Sequence, residues 1–261
     1  MKKIVTFVLV LALLLTALTS CLRVVYPTPE TSQNTQVDDD TTEKLINETA
    51  PTLLRANVVV SAAHYNYVEY ESSQGSGVIF HSDDKYLYIL TNHHVVHSDD
   101  ARRTVFTVRD AFDNTHTATL VAKNEAYDLA VIRISRSETT ESLNATKIAE
   151  LDAPVDTAIL SIGNPSGVHN SVSIGKIIYI KNIANDALDI DVAYHTAPLE
   201  HGSSGGGIFN SDGELVGINY AVGIDSETGR QVSFAVPVAT IRDFLGANNL
   251  LPAAESTDPV S

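Results

Sequence analysis

The chain has 261 residues, of which 44% are hydrophobic, so it is long enough to bury one large core or two smaller ones. Its formal net charge of -15 argues against nucleic-acid binding through general electrostatics. A single cysteine excludes an intrachain disulfide and a cysteine-rich metal site.

The N-terminus has the pattern of a secretory signal. Met1 is followed by two lysines, and residues 4–18 form a mostly apolar run that is short for a membrane-spanning helix. The segment Leu18-Thr19-Ser20-Cys21 resembles the processing box of bacterial lipoproteins. This resemblance implies that residues 1–20 are a signal peptide and that a lipid on Cys21 anchors the protein to the cell membrane, outside the cytoplasm. An ordinary signal peptide cut nearby and an uncleaved anchor are the alternatives.

The next segment has the composition of a stalk. Residues 21–47 are rich in Pro, Thr, Gln, Asn and Asp and have almost no apolar periodicity, which predicts a disordered acidic linker. A short helix is predicted near Thr42–Glu48, before Pro51. At the other end of the chain, residues 251–261 form a small polar tail.

Residues 48–250 are predicted to form the folded domain, and their pattern is that of β-strands. Runs of β-branched and aromatic residues are bounded by Gly, Asp, Asn and Ser. They fall into two groups, one at 57–62, 77–80, 86–90, 104–109, 117–123 and 129–134, the other at 157–162, 172–180, 188–195, 207–210, 215–220 and 232–237. This spacing predicts an all-β protein, either paired barrels (about 52–150 and 155–237) or a sandwich. Val238–Gly246 is predicted to be a closing amphipathic helix.

Three side chains suited to nucleophilic catalysis occur in the order His, Asp, Ser. A histidine pair, His93-His94, follows an apolar strand, Asp128 opens a later strand, and Ser204 lies between glycines. A serine hydroxyl needs an imidazole to take its proton, and the imidazole needs a carboxylate to orient it. The G-x-S-x-G elbow of α/β-hydrolases also fits around Ser204, but it needs a later histidine, and the last one is His201. The order seen is that of the chymotrypsin class.

The chain resembles trypsin-fold serine proteases of the HtrA/Deg type over roughly residues 48–246. The segments that carry the resemblance, with the family pattern in parentheses, are Thr91-Asn92-His93-His94-Val95 (T-N-x-H-V), Asp128-Leu129-Ala130-Val131 (D-L-A-V), Ile162-Gly163-Asn164-Pro165 (I-G-N-P) and Gly202-Ser203-Ser204-Gly205-Gly206 (G-N-S-G-G). Residues 75–79 and 234–237 fall where the family has similar segments. The resemblance implies two six-stranded antiparallel β-barrels with a short C-terminal helix.

The resemblance also implies a role for each site residue. Ser204 would be the nucleophile, His94 the general base and then acid, and Asp128 the carboxylate that orients His94. His93 fills the variable position of its motif. The backbone N–H groups of Gly202 and Ser204 would form the oxyanion hole.

The chain departs from the family pattern at three places and keeps the three expected catalytic side chains. Ser203 stands where the family usually has Asn, Gly207 replaces a common Pro, and Leu199-Glu200-His201 replaces a more apolar or Asn/Pro stretch. These departures make the resting geometry of the oxyanion loop an open question. The peptide-binding PDZ domain of the family is expected to be missing, because few residues follow Pro237.

The substrate pocket is expected, by analogy with the family, to be mostly apolar and to favour small or medium apolar side chains. Its predicted walls are Leu199, Tyr220, Ala221 and Val232. A glutamyl preference stays open because of three polar neighbours, His195, His201 and Glu200. Five further histidines without metal-ligand spacing are predicted to lie at the surface, namely His64, His81, His97, His116 and His169. No metal and no cofactor are expected.

The sequence therefore predicts a serine endopeptidase that hydrolyses misfolded or exposed proteins outside the cytoplasm through His94, Asp128 and Ser204. Its expected partners are polypeptide substrates and the membrane, reached through lipidated Cys21, and not nucleic acid. The alternative is a catalytically silent lipoprotein of the same fold that binds peptides or proteins.

Overall fold

The structure, a computed structural model, describes residues 36–67, 69–139, 142–184, 189–224 and 231–252. The predicted signal peptide, Cys21, the first part of the predicted linker and residues 253–261 lie outside the described residues. Within the described part no helix is both long and apolar enough to span a membrane.

Twelve strands form two closed barrels. The first contains β1 (Asn57–Tyr65), β2 (Tyr70–Ser82), β3 (Tyr86–Thr91), β4 (Arg103–Arg109), β5 (Thr115–Asn124) and β6 (Leu129–Ser135). The second contains β7 (Ala158–Gly163), β8 (Ser171–Ala184), β9 (Asp189–His195), β10 (Gly207–Phe209), β11 (Leu215–Ile224) and β12 (Gln231–Pro237).

Both barrels have the same strand order relative to their first strand, and all neighbouring strands are antiparallel. The first barrel closes in the order β1-β2-β3-β6-β5-β4 and the second in the order β10-β11-β12-β9-β8-β7. Closure leaves neither sheet with a free edge. The predicted fold of two six-stranded antiparallel barrels is confirmed, and the sandwich alternative is wrong.

Three main clusters of buried side chains hold this architecture. One fills the first barrel and includes Val60, Ile89 and Ile132. A second fills the other barrel around Ile159 and Ile208. The largest cluster joins the two barrels, since it contains residues of both.

The N-terminal described segment is helical and packs on this shared core. It runs through α1 (Asp39–Lys44), a π-helical turn (Leu45–Thr49) and α2 (Ala50–Leu53). Leu45 is 0% and Leu53 5% exposed, and both belong to the cluster between the barrels. The predicted linker therefore ends earlier than residue 47, because apolar burial offsets the entropy cost of ordering this stretch.

The C-terminal helix is close to the prediction. It is α4 (Val238–Ala247), and α3 (His93–Val96) is a single turn within the first barrel. Pro237 precedes α4, and the Asp152 side chain accepts a 2.9 Å hydrogen bond from the Ala239 N–H. Its buried face carries Ile241, Phe244 and Leu245, as the amphipathic pattern predicted.

Candidate active site

His94 and Asp128 meet at one end of the first barrel. His94 lies in α3, directly after β3, and Asp128 directly before β6, the strand that pairs with β3. The Asp128 Oδ2 atom lies 2.7 Å from His94 Nδ1, and Oδ1 accepts a 2.9 Å bond from the His94 backbone N–H. The Asp128 side chain is 10% exposed and that of His94 49%. A shielded carboxylate thus holds an accessible imidazole.

The backbone at Asp128 adopts an uncommon conformation that several hydrogen bonds maintain. Its φ is +49°, in the left-handed region that Asp tolerates better than most residues. The Asp128 carbonyl accepts bonds from the His93 N–H (3.1 Å) and the Asn92 side-chain amide (2.9 Å). The Asp128 N–H donates to the Glu125 carbonyl at 3.0 Å. These bonds aim the carboxylate at α3.

Ser204 belongs to the second barrel and sits in a tight turn before β10. Ser203 N–H donates to the Glu200 carbonyl at 3.0 Å, and Gly202 has φ +97°. A β-turn with positive φ at its third residue is the type II form, which favours glycine there. Gly205 follows with φ +84°, and a side chain on it would collide with the Ser76 carbonyl. Both glycines are therefore required by the backbone path.

The turn exposes two peptide N–H groups. Among the described residues, no acceptor bonds to the N–H of Gly202 or Ser204. The carbonyl on the other side of the first peptide, that of His201, accepts a 2.8 Å bond from the Ser166 N–H. Because a trans peptide directs its C=O and N–H oppositely, the Gly202 N–H points away from Ser166. The arrangement leaves two donors free for an oxyanion.

The strand β2 brings the two halves of the site together. A methyl group on Gly75 would come within 2.7 Å of a Val95 methyl, next to His94, and within 2.8 Å of the Ser204 carbonyl oxygen. The Ser76 N–H also donates to that carbonyl at 2.7 Å. The helix that carries His94 and the turn that carries Ser204 therefore both contact Gly75.

The Ser204 hydroxyl is directed at a backbone carbonyl. It donates to Tyr220 O at 3.4 Å, and no hydrogen bond joins it to His94 among the described residues. Tyr220 lies at a bulge of β11, between Asn219 and Ala221, and the bulge re-aims the backbone there. A hydrogen bond of this length is weak, so rotation of the hydroxyl toward the imidazole costs little. Such bonds often tighten only when substrate binds.

The two departures at Ser203 and Gly207 have structural reasons. The Ser203 side chain is buried and accepts a 3.3 Å bond from the Glu200 N–H, so it closes the turn from within. Any side-chain carbon on Gly207 would overlap the ring of Phe209. The Phe209 ring thus occupies the space that a side chain at position 207 would need.

The predicted pocket residues lie on neighbouring elements. Leu199 is buried, and its carbonyl accepts a 2.7 Å bond from the Gln231 side chain, next to Val232. Tyr220, Ala221 and Val232 are partly buried and pack on one apolar cluster. Tyr220, Ala221 and Val232 thus form a partly buried apolar strip on β11 and β12, while Leu199 is linked to it only through Gln231.

His195 does not lie at the rim of the predicted substrate pocket, so it cannot make the polar contact to substrate that the sequence left open. It is 0% exposed in β9, and burial lowers its pKa to about 3. The interaction with the Asn219 side chain raises this pKa, but burial outweighs it. A neutral buried imidazole offers no charge to a substrate carboxylate. Glu200 and His201, in contrast, are exposed.

Two histidines predicted at the surface are buried. His64 and His116 are each 4% exposed. His116 Nε2 lies 2.8 Å from Oδ2 of Asp110, which is also buried. His64 bonds through its two ring nitrogens to Thr104 and Ser73, each at 3.1 Å. The alternating sequence pattern of the strands does not indicate these polar partners, because they become neighbours only through strand pairing in the barrel.

Ser76 and Asn164 lie in segments that resemble the family, but the sequence alone indicates no role for them. Ser76 Oγ donates to the Gly202 carbonyl at 2.7 Å, and it accepts from the Asn164 N–H at 2.8 Å. Both residues are 0% exposed. The family motifs mark both residues in the sequence. Their hydrogen bond to each other could not be predicted, because it joins different barrels.

Known proteins resemble this chain in both sequence and fold. A family described as "Trypsin-like peptidase domain" matches residues 75–218, more than half of the chain. The serine protease Do-like HtrA of Bacillus subtilis is 30% identical over 193 residues, which cover 71% of this chain and 39% of that protein. Periplasmic serine endoprotease DegP of Escherichia coli is 33% identical over 172 residues, which cover 65% of this chain and 34% of DegP.

The serine endoprotease DegS of Haemophilus influenzae is 34% identical over 175 residues, or 66% of this chain and 48% of DegS. The chain thus spans less than half of the length of these relatives. Among solved structures, the Rv3671c protease of Mycobacterium tuberculosis in its active form has a TM-score of 0.66 at 19% identity, covering 89% of this chain and 96% of that one. That similarity concerns the fold alone.

The predicted enzyme class, a serine-type endopeptidase, is confirmed by the domain family and by the names of these relatives. The predicted homology to HtrA-type serine proteases is confirmed as well. The chain belongs to the trypsin-like peptidase domain family.

Proposed function

We propose that this chain cleaves polypeptides outside the cytoplasm, with Ser204 as nucleophile, His94 as general base and Asp128 as its orienting carboxylate. The observation that carries the proposal is the 2.7 Å contact between His94 Nδ1 and a shielded Asp128 Oδ2. Asp128 selects the tautomer with the proton on Nδ1, which leaves Nε2 free to accept the serine proton.

The reaction then follows from the positions of these groups. Ser204 Oγ attacks the scissile carbonyl carbon as its proton passes to His94, and the carbonyl oxygen becomes an oxyanion. The free N–H groups of Gly202 and Ser204 donate to that oxygen. His94 returns the proton to the leaving amine, and water repeats the cycle on the acyl-enzyme. Removing one such donor typically reduces kcat about 10²–10³-fold.

The substrate is an extended segment with a small or medium apolar side chain before the cut bond. The partly buried strip of Tyr220, Ala221 and Val232 supports this preference. His195 is uncharged at neutral pH because its pKa is about 3, which removes the main support for a glutamyl preference. Misfolded proteins offer such exposed apolar segments.

The proposed location is the outer face of a bacterial cell membrane, with residues 1–20 removed and Cys21 carrying lipid. The apolar N-terminal run and the Leu18–Cys21 segment support it, and DegP is named as periplasmic. Growth of cells with a labelled fatty acid tests it. Label should appear on the intact chain and disappear in Cys21→Ala, and equal label in both would contradict the anchor.

Activity is tested with a fluorophosphonate probe and a permanently unfolded protein. The wild-type chain should take up one probe per molecule and cleave the protein, and Ser204→Ala should do neither. Ser203→Ala is the matched control and should still be labelled, because its hydroxyl is bonded within the turn. Failure of the folded wild type to react under any condition would favour the silent binding protein instead.

A further inference from the structure

A buried polar bridge connects the two barrels beside the oxyanion turn. It consists of Asn57 in β1, Ser76 in β2 and Asn164 directly after β7, all at most 1% exposed. Polar groups are costly to bury unless they are hydrogen-bonded, and these three bond to each other and to the turn. None of them reaches the reacting atoms in the mechanism above.

Ser76 forms hydrogen bonds to the turn on both sides of Ser203. Its hydroxyl donates to the Gly202 carbonyl at 2.7 Å, and its backbone N–H donates to the Ser204 carbonyl at 2.7 Å. The hydroxyl oxygen accepts the Asn164 N–H at 2.8 Å. The Ser76 carbonyl accepts the Thr91 hydroxyl at 2.7 Å, which ties the same residue to the strand before His94.

Asn164 ties the second barrel to the first. Its side-chain amide donates to the Val58 carbonyl at 2.8 Å, and its Oδ1 accepts the Asn57 side chain at 2.9 Å. The same Oδ1 accepts the Asn170 N–H at 3.0 Å, which closes the loop after Asn164. That loop contains Ser166, whose N–H bonds the His201 carbonyl.

The bonded carbonyls determine where the two free donors point. The His201 carbonyl is held by Ser166, and the Ser203 carbonyl accepts the Gly206 N–H at 2.9 Å. Since each trans peptide directs its N–H opposite to its carbonyl, the Gly202 N–H points away from Ser166 and the Ser204 N–H points away from the Gly206 N–H. Flipping either peptide would break one of these bonds and leave a buried group unsatisfied.

We propose that Ser76 and Asn164 are positioning residues that hold the oxyanion turn in its active form across the barrel interface. This inference rests on the proposed function for its catalytic consequence. Docking of the barrels thereby sets the oxyanion hole, because the hydroxyl that holds the Gly202 carbonyl belongs to the first barrel. Loss of the Ser76 hydroxyl frees the Gly202 carbonyl and lets the turn relax.

Steady-state kinetics of the full chain on a chromogenic peptide test this role. Ser76→Ala should lower kcat about 10²-fold, the loss typical of a missing oxyanion donor, and change KM less than about 3-fold. A peptide aldehyde, which forms an oxyanion on Ser204, should lose affinity by the same factor as kcat. Thr146→Val is the matched control, because it also removes a buried hydroxyl that donates to a carbonyl, outside the turn.

The amide resonances of Gly202 and Ser204 in a ¹⁵N-labelled chain give a second readout that needs no activity. Both should shift in Ser76→Ala and stay in place in Thr146→Val. An inactive wild type would contradict the proposed function. The two amide resonances would still test whether Ser76 positions the turn. Unshifted resonances, an unchanged kcat in Ser76→Ala, or an equal loss of kcat in Thr146→Val would each overturn it.

Discussion

Asp128 holds His94 through two contacts at once, one to the imidazole and one to the backbone. Oδ2 lies 2.7 Å from Nδ1, and Oδ1 accepts the His94 N–H at 2.9 Å. The N–H belongs to the first turn of α3, where helix donors lack intrahelical partners. The carboxylate therefore sets the position of the helix as well as the orientation of the ring.

Replacing the Asp128 carboxylate by an amide tests the effect of its charge, because the amide has nearly the same shape. In Asp128→Asn we expect kcat to fall about 10⁴-fold on a peptide substrate, because the amide favours the wrong tautomer of His94. Glu125→Gln, which removes an exposed carboxylate nearby, is the control and should keep kcat within about 3-fold of wild type. Similar losses in both variants would contradict a specific role for Asp128.

The neighbouring histidines should respond differently to truncation. His93 is 7% exposed and its ring packs 4.5 Å from that of His97, so His93→Ala should lower stability and spare most of kcat. His94→Ala should lower kcat by about 10⁴-fold or more, with little change in the midpoint of thermal unfolding. Kinetics and thermal denaturation on both variants check this. Equal losses of kcat would show that the base is assigned wrongly.

Burial of His195 should make the protein less stable in acid. Its pKa is about 3 in the folded chain, against 6.5 for an ordinary histidine. The unfolded chain therefore binds a proton between these values that the folded chain does not. The free energy of unfolding should fall by up to about 1.4 kcal/mol for each pH unit below about 6.5, and should not depend on this group above that pH.

Urea titrations between about pH 4 and pH 6 measure that slope. His195→Asn should reduce it by about one proton, and the exposed His201→Asn is the matched control. An unchanged slope in His195→Asn would mean that this imidazole takes up protons while folded.

Asp110 and His116 form a buried pair in the first barrel, 2.8 Å apart. Burial raises the pKa of Asp110, but bonds from His116 and from the Phe112 and Asn114 backbone outweigh it, and the net pKa lies below the ordinary value of 3.8. Its stabilisation is thus complete above that value and is lost as pH falls through the lower, folded pKa.

Asp110→Asn should lower the free energy of unfolding by about 1–3 kcal/mol at neutral pH, because the hydrogen bonds that the buried carboxylate accepts are weakened or lost. Urea denaturation measures it, and Asp113→Asn, a neighbouring carboxylate with an exposed side chain, is the control. A loss below about 1 kcal/mol would show that the pair is not needed for stability.

The packed N-terminal segment offers a matched pair of adjacent side chains. Leu45 is 0% and Ile46 48% exposed. Leu45→Ala should cost about 2–5 kcal/mol of unfolding free energy, and Ile46→Ala less than about 1 kcal/mol. Equal, small effects would favour the disordered linker that the composition alone predicted.

Local patterns predicted most strands and the order of the three candidate catalytic side chains, but several features depend on contacts between distant segments. The prediction for β2 began at Gly77, whereas the strand begins at Tyr70. Its polar first half pairs with β1 through backbone bonds that no apolar alternation marks. Leu45 was assigned to the linker because its local surroundings are polar. Only the shared core of both barrels explains its burial.

The site shows the same division between local and distant information. The motifs located His94, Asp128 and Ser204, because each lies in a short stretch with its own composition. The roles of Ser76 and Asn164 could not be derived that way, since Asn164 joins Ser76 and Val58 only when the barrels are docked. His195 likewise lies in a strand whose local sequence gives no sign that its imidazole is completely buried.

The division of the site between two barrels also has a consequence for the order of events during synthesis. A nascent chain that has emerged only as far as β6 carries His94 and Asp128, but Ser204 is still to come. If Ser204 and His94 act as proposed, neither barrel alone holds the nucleophile with its base, so an incomplete chain would have no peptidase activity. On the proposed assignment, proteolysis would begin only after the second barrel has formed and docked on the first.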